Sequence, residues 1–230
     1  PKNPELDVFL VVVDNDAPTV TLDDPDSAVH GTVGLTTSAS PDTTQVTFER
    51  SPAGAETWTA ISVDSASPVT ASVDTTLLAD ARYDLRASAT DGSHVVMSNV
   101  VTTRADNTAP TASLIEPVAH ATVGGSNVAL EASAADTGSG IATVQYRIDG
   151  TPAGTVASAP WTLAWNASAT PSGAHTIDAV VTDAAGNSTT TSGVPVTVDS
   201  TPPSVTLTDP GALLSGNVTL HATSPDSDTA

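Results

Sequence analysis

The chain has 230 residues, and 26 acidic against 6 basic side chains leave a formal charge of −20 with histidine neutral. Phosphate backbones are bound by clusters of Lys and Arg, so this balance argues against a nucleic-acid partner and describes a soluble surface that collects cations. No cysteine is present, which excludes disulfides and thiolate metal sites, and no apolar run approaches the ~18 residues of a membrane span.

Short stretches of β-branched residues alternate apolar and polar, broken by Gly, Pro, Asp, Asn and Ser at intervals of about 8–12 residues. Helical spacing is not sustained anywhere over about 11 residues, so the chain reads as all-β. In chain order, a first strand is expected at 6–13. Seven follow at 19–23, 31–38, 45–50, 56–63, 69–75, 82–90 and 99–105. The next set is 111–115, 126–134, 141–149, 161–165, 174–182 and 193–198, with a weak extra strand at 153–157. Two more are expected within 204–223.

The order of these elements repeats. The phrases DNDAPTVTL at 14–22, DNTAPTASL at 106–114 and DSTPPSVTL at 199–207 place Pro18, Pro110 and Pro203 at steps of 92 and 93 residues. A period of that length is a small domain rather than a solenoid unit. The register also agrees: Leu85, Ala87, Ala89 and Asp91 fall on Ile177, Ala179, Val181 and Asp183. A slip of one residue would turn the inward set outward, so matching parity implies one shared core face. The expected organisation is therefore the last strand of a preceding module at 1–13, complete modules at 14–105 and 106–198, and the first strands of an incomplete third at 199–230.

About seven short strands in roughly 92 residues suit an immunoglobulin-like β-sandwich. Aromatic residues make up only 3% of the chain, so Val, Leu, Ile and Ala must fill a lean core. Proline at each junction, in Ala17-Pro18, Ala109-Pro110 and Pro202-Pro203, restricts the backbone there. Tandem sandwiches in an extended, semi-rigid array are the expectation. A two-strand remnant cannot bury its own apolar face, so Val205, Leu207, Val218 and Leu220 should be paired with something or poorly ordered.

The phrases DNTAPTASLIEP, GSNVALEASAAD, DTGSGIATVQYRIDG, APWTLAWNAS, GAHTIDAVVTDAAGN and PVTVDSTPP resemble the bacterial Ig-like repeats of large secreted and cell-surface proteins. The second module matches along nearly its whole length. The first departs by having Asp91-Gly92-Ser93-His94 where the second has Asp183-Ala184-Ala185-Gly186-Asn187. The resemblance implies an extracellular or surface location, a spacer, adhesion or accessory role, and no shared active site. Neighbouring modules of the same chain are the implied partners.

The candidate chemistry is acidic. In such a sandwich the start of the first strand and the loops after the second and sixth strands lie at one pole. These places carry Asp14, Asp16, Asp42 and Asp91 in module one, Asp106, Asp136 and Asp183 in module two, and Asp199 at the third junction. Carboxylates with backbone carbonyls could supply the six to eight oxygens that Ca²⁺ takes. The junction phrase at 14–18 also resembles the calcium-binding linker of cadherins. The competing reading is that Asp and Asn at strand ends are ordinary turn formers.

Other motifs carry less. Asp136-Thr137-Gly138-Ser139 has the letters of an aspartic-protease loop but no second copy, and reads as a Gly-rich turn. His30, His94, His120, His175 and His221 show no metal-ligand spacing. Trp161, Leu163 and Trp165 share one strand face, where they either stack on sugars or, preferably, fill the core. Lys2 is the only lysine, so neither full module can hold an isopeptide staple. No catalytic residues and no bound organic cofactor are expected, with Ca²⁺ as the candidate ion. The leading reading is a non-enzymatic spacer of a larger extracellular protein. The alternatives are a Ca-dependent adhesive or carbohydrate-binding module, an accessory region of a polysaccharide-active enzyme, and decoration of a filament or virion.

Overall fold

The computed structural model describes residues 15–66, 68–202, 204–209, 211 and 216–224. The strand expected at 6–13 and the carboxylate of Asp14 lie outside them.

The first sandwich contains β1 (Val20–Leu22), β2 (Ala28–Val29), β3 (Thr32–Ala39), β4 (Gln45–Pro52), β5 (Thr59–Asp64), β6 (Thr70–Asp74), β7 (Ala81–Thr90), β8 (Val95–Met97) and β9 (Val101–Ala105). One sheet has the order β1-β3-β6; the other is β2-β9-β7-β4-β5, with β8 also paired to β7. Alternation along β7 buries Tyr83, Leu85, Ala87 and Ala89, as period two requires of a strand with one face on a core. Leu85, Ala87 and Ala89 pack with Val20, Leu22, Leu35, Val46, Phe48, Val73 and Val101. Phe48 is fully buried, and a side chain of that size contributes about 1.5–3 kcal/mol by burial alone.

The second sandwich contains β10 (Thr111–Glu116), β11 (Thr122–Val123), β12 (Val128–Ala135), β13 (Ile141–Ile148), β14 (Thr151–Val156), β15 (Thr162–Trp165), β16 (Gly173–Asp183), β17 (Ser188–Thr190) and β18 (Val194–Val198). Its sheets, β10-β12-β15 and β11-β18-β16-β13-β14 with β17 on β16, reproduce the first copy strand for strand. Ile177, Ala179, Val181 and Asp183 are buried along β16, so the shared parity is realised. Tyr146 stands where the first copy has Phe48. Its hydroxyl donates to the Trp161 carbonyl, and burial pushes the phenol up to about 12.

The structure departs from the expected strands in three places. Strands β2, β8, β11 and β17, absent from the expected set, are two or three residues long, too short to show a period. The two shortest, β2 and β11, lie parallel to β9 and β18 and carry the start of each module across to the other sheet. The stretch 69–75 ends as strand at Asp74, whose carboxylate accepts from the Thr76 N–H and caps one 3-10 turn. The weak strand at 153–157 is a six-residue partner of β13. Beyond these, β19 (Thr206–Leu207) pairs antiparallel with β20 (Ala222–Thr223), leaving Val205, Leu207, Val218 and Leu220 exposed.

By contacts, the chain divides into two compact units. One holds the described residues up to Thr111 together with Ala134–Ala142 and Val181–Thr189; the other holds Ala112–Ser133, Thr143–Val180 and the described residues from Thr190 on.

Candidate functional site

Three carboxylates meet within the first of these units. Asp106 follows β9, where its N–H donates to the Val29 carbonyl at 3.0 Å. Asp136 follows β12, and its Oδ2 accepts from Gly138 N at 2.9 Å and Gly140 N at 2.7 Å. This closes the Asp136-Thr-Gly-Ser sequence into the Gly-rich turn expected of it. Asp183 ends β16. Its Oδ1 accepts from Gly186 N and Asn187 N, and its Oδ2 from Asn187 Nδ2. One carboxylate oxygen from each of the three lies within 4.8 Å of the others, with Asp106 and Asp183 buried.

Charges that close repel by on the order of 3 kcal/mol per pair at an effective dielectric near 20. Backbone amides offset part of this, including Ser139 N at 2.5 Å from Asp106 Oδ2 and Thr108 N at 3.3 Å from Oδ1. A donor set made only of carboxylates suits a hard cation and not a thiophilic metal. Gly138 is required by the packing, since a Cβ there would collide with the Asp106 carboxylate.

The remaining acidic candidates are disposed differently. Asp16 and Asp42 are exposed, and Asp199 is half-buried with Oδ1 accepting from Thr201 N at 2.9 Å. Among the described residues, Asp106, Asp136 and Asp183 form the one such group. Asp91 occupies the place of Asp183 and is likewise satisfied by its own turn, through the N–H groups of His94 and Ser93 and the His94 ring. Those bonds hold its carboxyl down at about 2, the His94 N–H first among them. The residue difference visible at 91–94 is thus a difference in which side chain bonds the carboxylate, the His94 ring in one copy and the Asn187 amide in the other.

Sequence reasoning missed the neighbour of Asp106. Asn107 Oδ1 accepts from Gly31 N at 3.1 Å and Thr75 Oγ1 at 2.9 Å, and its Nδ2 donates to the Thr75 carbonyl and to Asp80. Its N–H and the Thr108 hydroxyl also reach the Asp80 carboxylate, at 2.9 and 2.6 Å. The Thr108 hydroxyl first, then the Asn107 N–H, hold the Asp80 carboxyl below its usual range. Asn187 Nδ2 in turn donates to the Asp106 carbonyl at 2.8 Å, and Thr189 Oγ1 to Pro110 O at 2.6 Å. The segment 106–110 is therefore hydrogen-bonded along its length. A signal existed in the sequence: Asn107 is part of the repeated phrase, a polar residue at a fixed distance from the last strand.

The three indoles are placed differently. Trp165 is buried, Trp161 is half-buried, and Trp58 carries the Arg86 guanidinium 3.9 Å from its ring centroid. A groove of about 560 Å³ in the first sandwich is lined by Thr37, Ser40, Thr43, Thr44, Gln45 and Asp64, without an aromatic side chain.

A family description reading "Bacterial Ig domain" matches residues 110–179, and "Bacterial Ig-like domain (group 3)" matches residues 159–224. The chain carries bacterial Ig-like repeats. These Ig-like repeats share their fold with the Clostridium thermocellum CbhA fibronectin(III)-like modules, at 22% identity and TM-score 0.54 over 78% of this chain and 93% of that one. Chicken CNTN1 FN1-FN3 domains match at 12% identity and TM-score 0.53, over 79% and 68% of the two chains. No curated protein sequence matches. Ig-like and fibronectin-III-like domains occur in multidomain extracellular proteins and are generally non-catalytic. No helix among the described residues is long and apolar enough to cross a membrane.

Proposed function

We propose that these Ig-like repeats are a non-enzymatic spacer within a larger extracellular or surface-associated protein. The observation that carries this reading is the segment 106–110, where the chain leaving β9 is fastened by side chain and backbone instead of hanging as a loose tether. A spacer transmits position only if its connections resist bending, and hydrogen bonds at the linker supply that resistance. The burial of Trp165 and the Arg86 cover on Trp58 support the spacer over a sugar-stacking module. Exchange of residues 14–105 in the parent protein for an unrelated sandwich of similar length tests it. Surface display and activity should persist; loss of a binding activity while display persists would overturn the reading.

A second reading rests on Asp106, Asp136 and Asp183. These would hold a hard divalent cation of the Ca²⁺ type, which would remove the repulsion among them and stiffen the loops they end. A ligand that binds only the folded state raises stability with concentration, by about 2.7 kcal/mol at a hundredfold excess over Kd. Thermal unfolding with added Ca²⁺ and with chelator checks this. A midpoint that does not move, or moves equally in Asp136→Asn, sinks the cation.

A further inference from the structure

Near the start of β7, the Tyr83 hydroxyl donates to the Ala79 carbonyl, four residues upstream, at 3.3 Å. This is the tyrosine corner of Ig-type sandwiches. Ninety-two residues on, the second repeat has His175 in that place. Its Nε2 lies 2.9 Å from the carbonyl of Pro171, again four residues upstream. Its Nδ1 lies 2.6 Å from Oδ2 of Asp149, in the β13–β14 turn.

Both partners of the ring are acceptors. A neutral imidazole has one N–H, so either the carbonyl or the carboxylate must then face a lone pair; only the imidazolium donates to both. A tyrosine hydroxyl makes the same upstream bond without taking up a proton. We propose that His175 makes the corner of the second sandwich proton-operated: protonated, it ties the Asp149 turn to the Pro171 loop, and neutral, it gives up one of the two ties.

The pair lies at the surface, with the His175 ring largely covered and the Asp149 side chain 53% exposed. Asp149 is held in place for the ring, since its Oδ1 accepts from Thr176 N and its own N–H donates to the Thr176 carbonyl, both at 2.8 Å. On β18 the residue opposite His175 is Val196. The Pro171 loop contributes its carbonyl. Arg147 of β13 is committed to Asp178 at 2.5 Å. Asp149 is thus the charged group facing the ring, and its hydrogen bond raises the imidazole above its ordinary value. Because the folded value is raised, the stabilisation is complete below the unfolded value and is lost as pH rises through the folded one.

The test follows thermal unfolding of the intact chain by NMR from about pH 5.5 to about pH 8.5, the range in which histidine changes charge. The midpoint read at Ile177 and Ala179 should fall by several degrees as pH rises, and His175→Tyr should flatten that fall. A midpoint that stays level in the wild type, or falls as much in the variant, overturns the proposal. Should His175→Tyr not fold, Asp149→Asn serves, with the ring titrated by long-range ¹⁵N spectra. The ring should then lose its proton at lower pH than in the wild type, and an unchanged titration overturns the proposal.

Discussion

On the outer face of its larger sheet the first sandwich pairs Glu49 of β4 with Arg86 of β7 at 2.8 Å, directly across the strands. At the corresponding place the second pairs Arg147 of β13 with Asp178 of β16 at 2.5 Å, with the charges exchanged. The hairpin turn shows the same reversal. In the first copy Gly54 N donates from the turn to Asp84 on the strand; in the second the strand donates from Thr176 N, 92 residues after Asp84, to Asp149 on the turn. The fold specifies that these places touch, and leaves open which side supplies the donor.

The linkers differ in the side chains that bond them. Asp106 N bonds Val29 O and Asp199 N bonds Val123 O, so the backbone leaves both last strands alike. Beyond that, Asn107 reaches Gly31, Thr75 and Asp80, whereas Ser200 finds Ser172, through its N–H at 3.0 Å and its hydroxyl at 2.9 Å. Asp80 and Ser172 are equivalent positions, so the second linker has a hydroxyl where the first has a carboxylate.

Four experiments would break or sharpen this comparison. The largest effect is expected at the core: Phe48→Ala should destabilise by about 3–5 kcal/mol in chemical denaturation. Tyr146→Phe at the matching position should cost only the hydroxyl's bond, about 1 kcal/mol. Next, Asn107→Ala leaves Gly31 N without its acceptor and should cost about 1–3 kcal/mol and speed proteolysis at 107–110. Ser200→Ala should stay within about 0.5 kcal/mol; equal effects would erase the distinction between the linkers. Third, replacing Glu49 by Arg and Arg86 by Asp together should recover most of what either change alone loses, with a double-mutant coupling of roughly 0.2–1 kcal/mol.

The smallest effect is electrostatic and concerns acid. Asp80 and Asp91 both titrate below the usual carboxylate range when folded, so their contributions are present above the unfolded value near 3.8 and are lost as pH falls through the folded ones. Protease sensitivity of the 107–110 segment should rise as pH falls below the unfolded carboxylate value, and Asp80→Asn should abolish that rise. The second sandwich should move oppositely near neutrality if His175 works as proposed.

Much of the fold was legible because it rests on period. Strands such as β7 and β16 alternate over ten residues or more, and a 92-residue echo fixes their parity. Strands β2, β8, β11 and β17 were not legible, since two or three residues carry no period and their pairing is set by sheets assembled from distant sequence. For the site, loop position at one pole was enough to nominate Asp106, Asp136 and Asp183, but equally nominated Asp16, Asp42 and Asp91. What separates them is approach across the fold: Asp91 and Asp183 both accept from their own following turns, but only Asp183 has two further carboxylates within 4.8 Å among the described residues.

From the amino-acid order alone come the strand content, the module length, the inward face of each long strand and the acidic character of the poles. Those follow from alternation, repetition and charge, which are properties of the chain. Only the tertiary structure decided that Asn107 is a fastener, that Arg86 covers Trp58, and that His175 sits between two acceptors. Each of these depends on residues tens of positions apart approaching to hydrogen-bond or stacking distance, and no local pattern encodes such a distance.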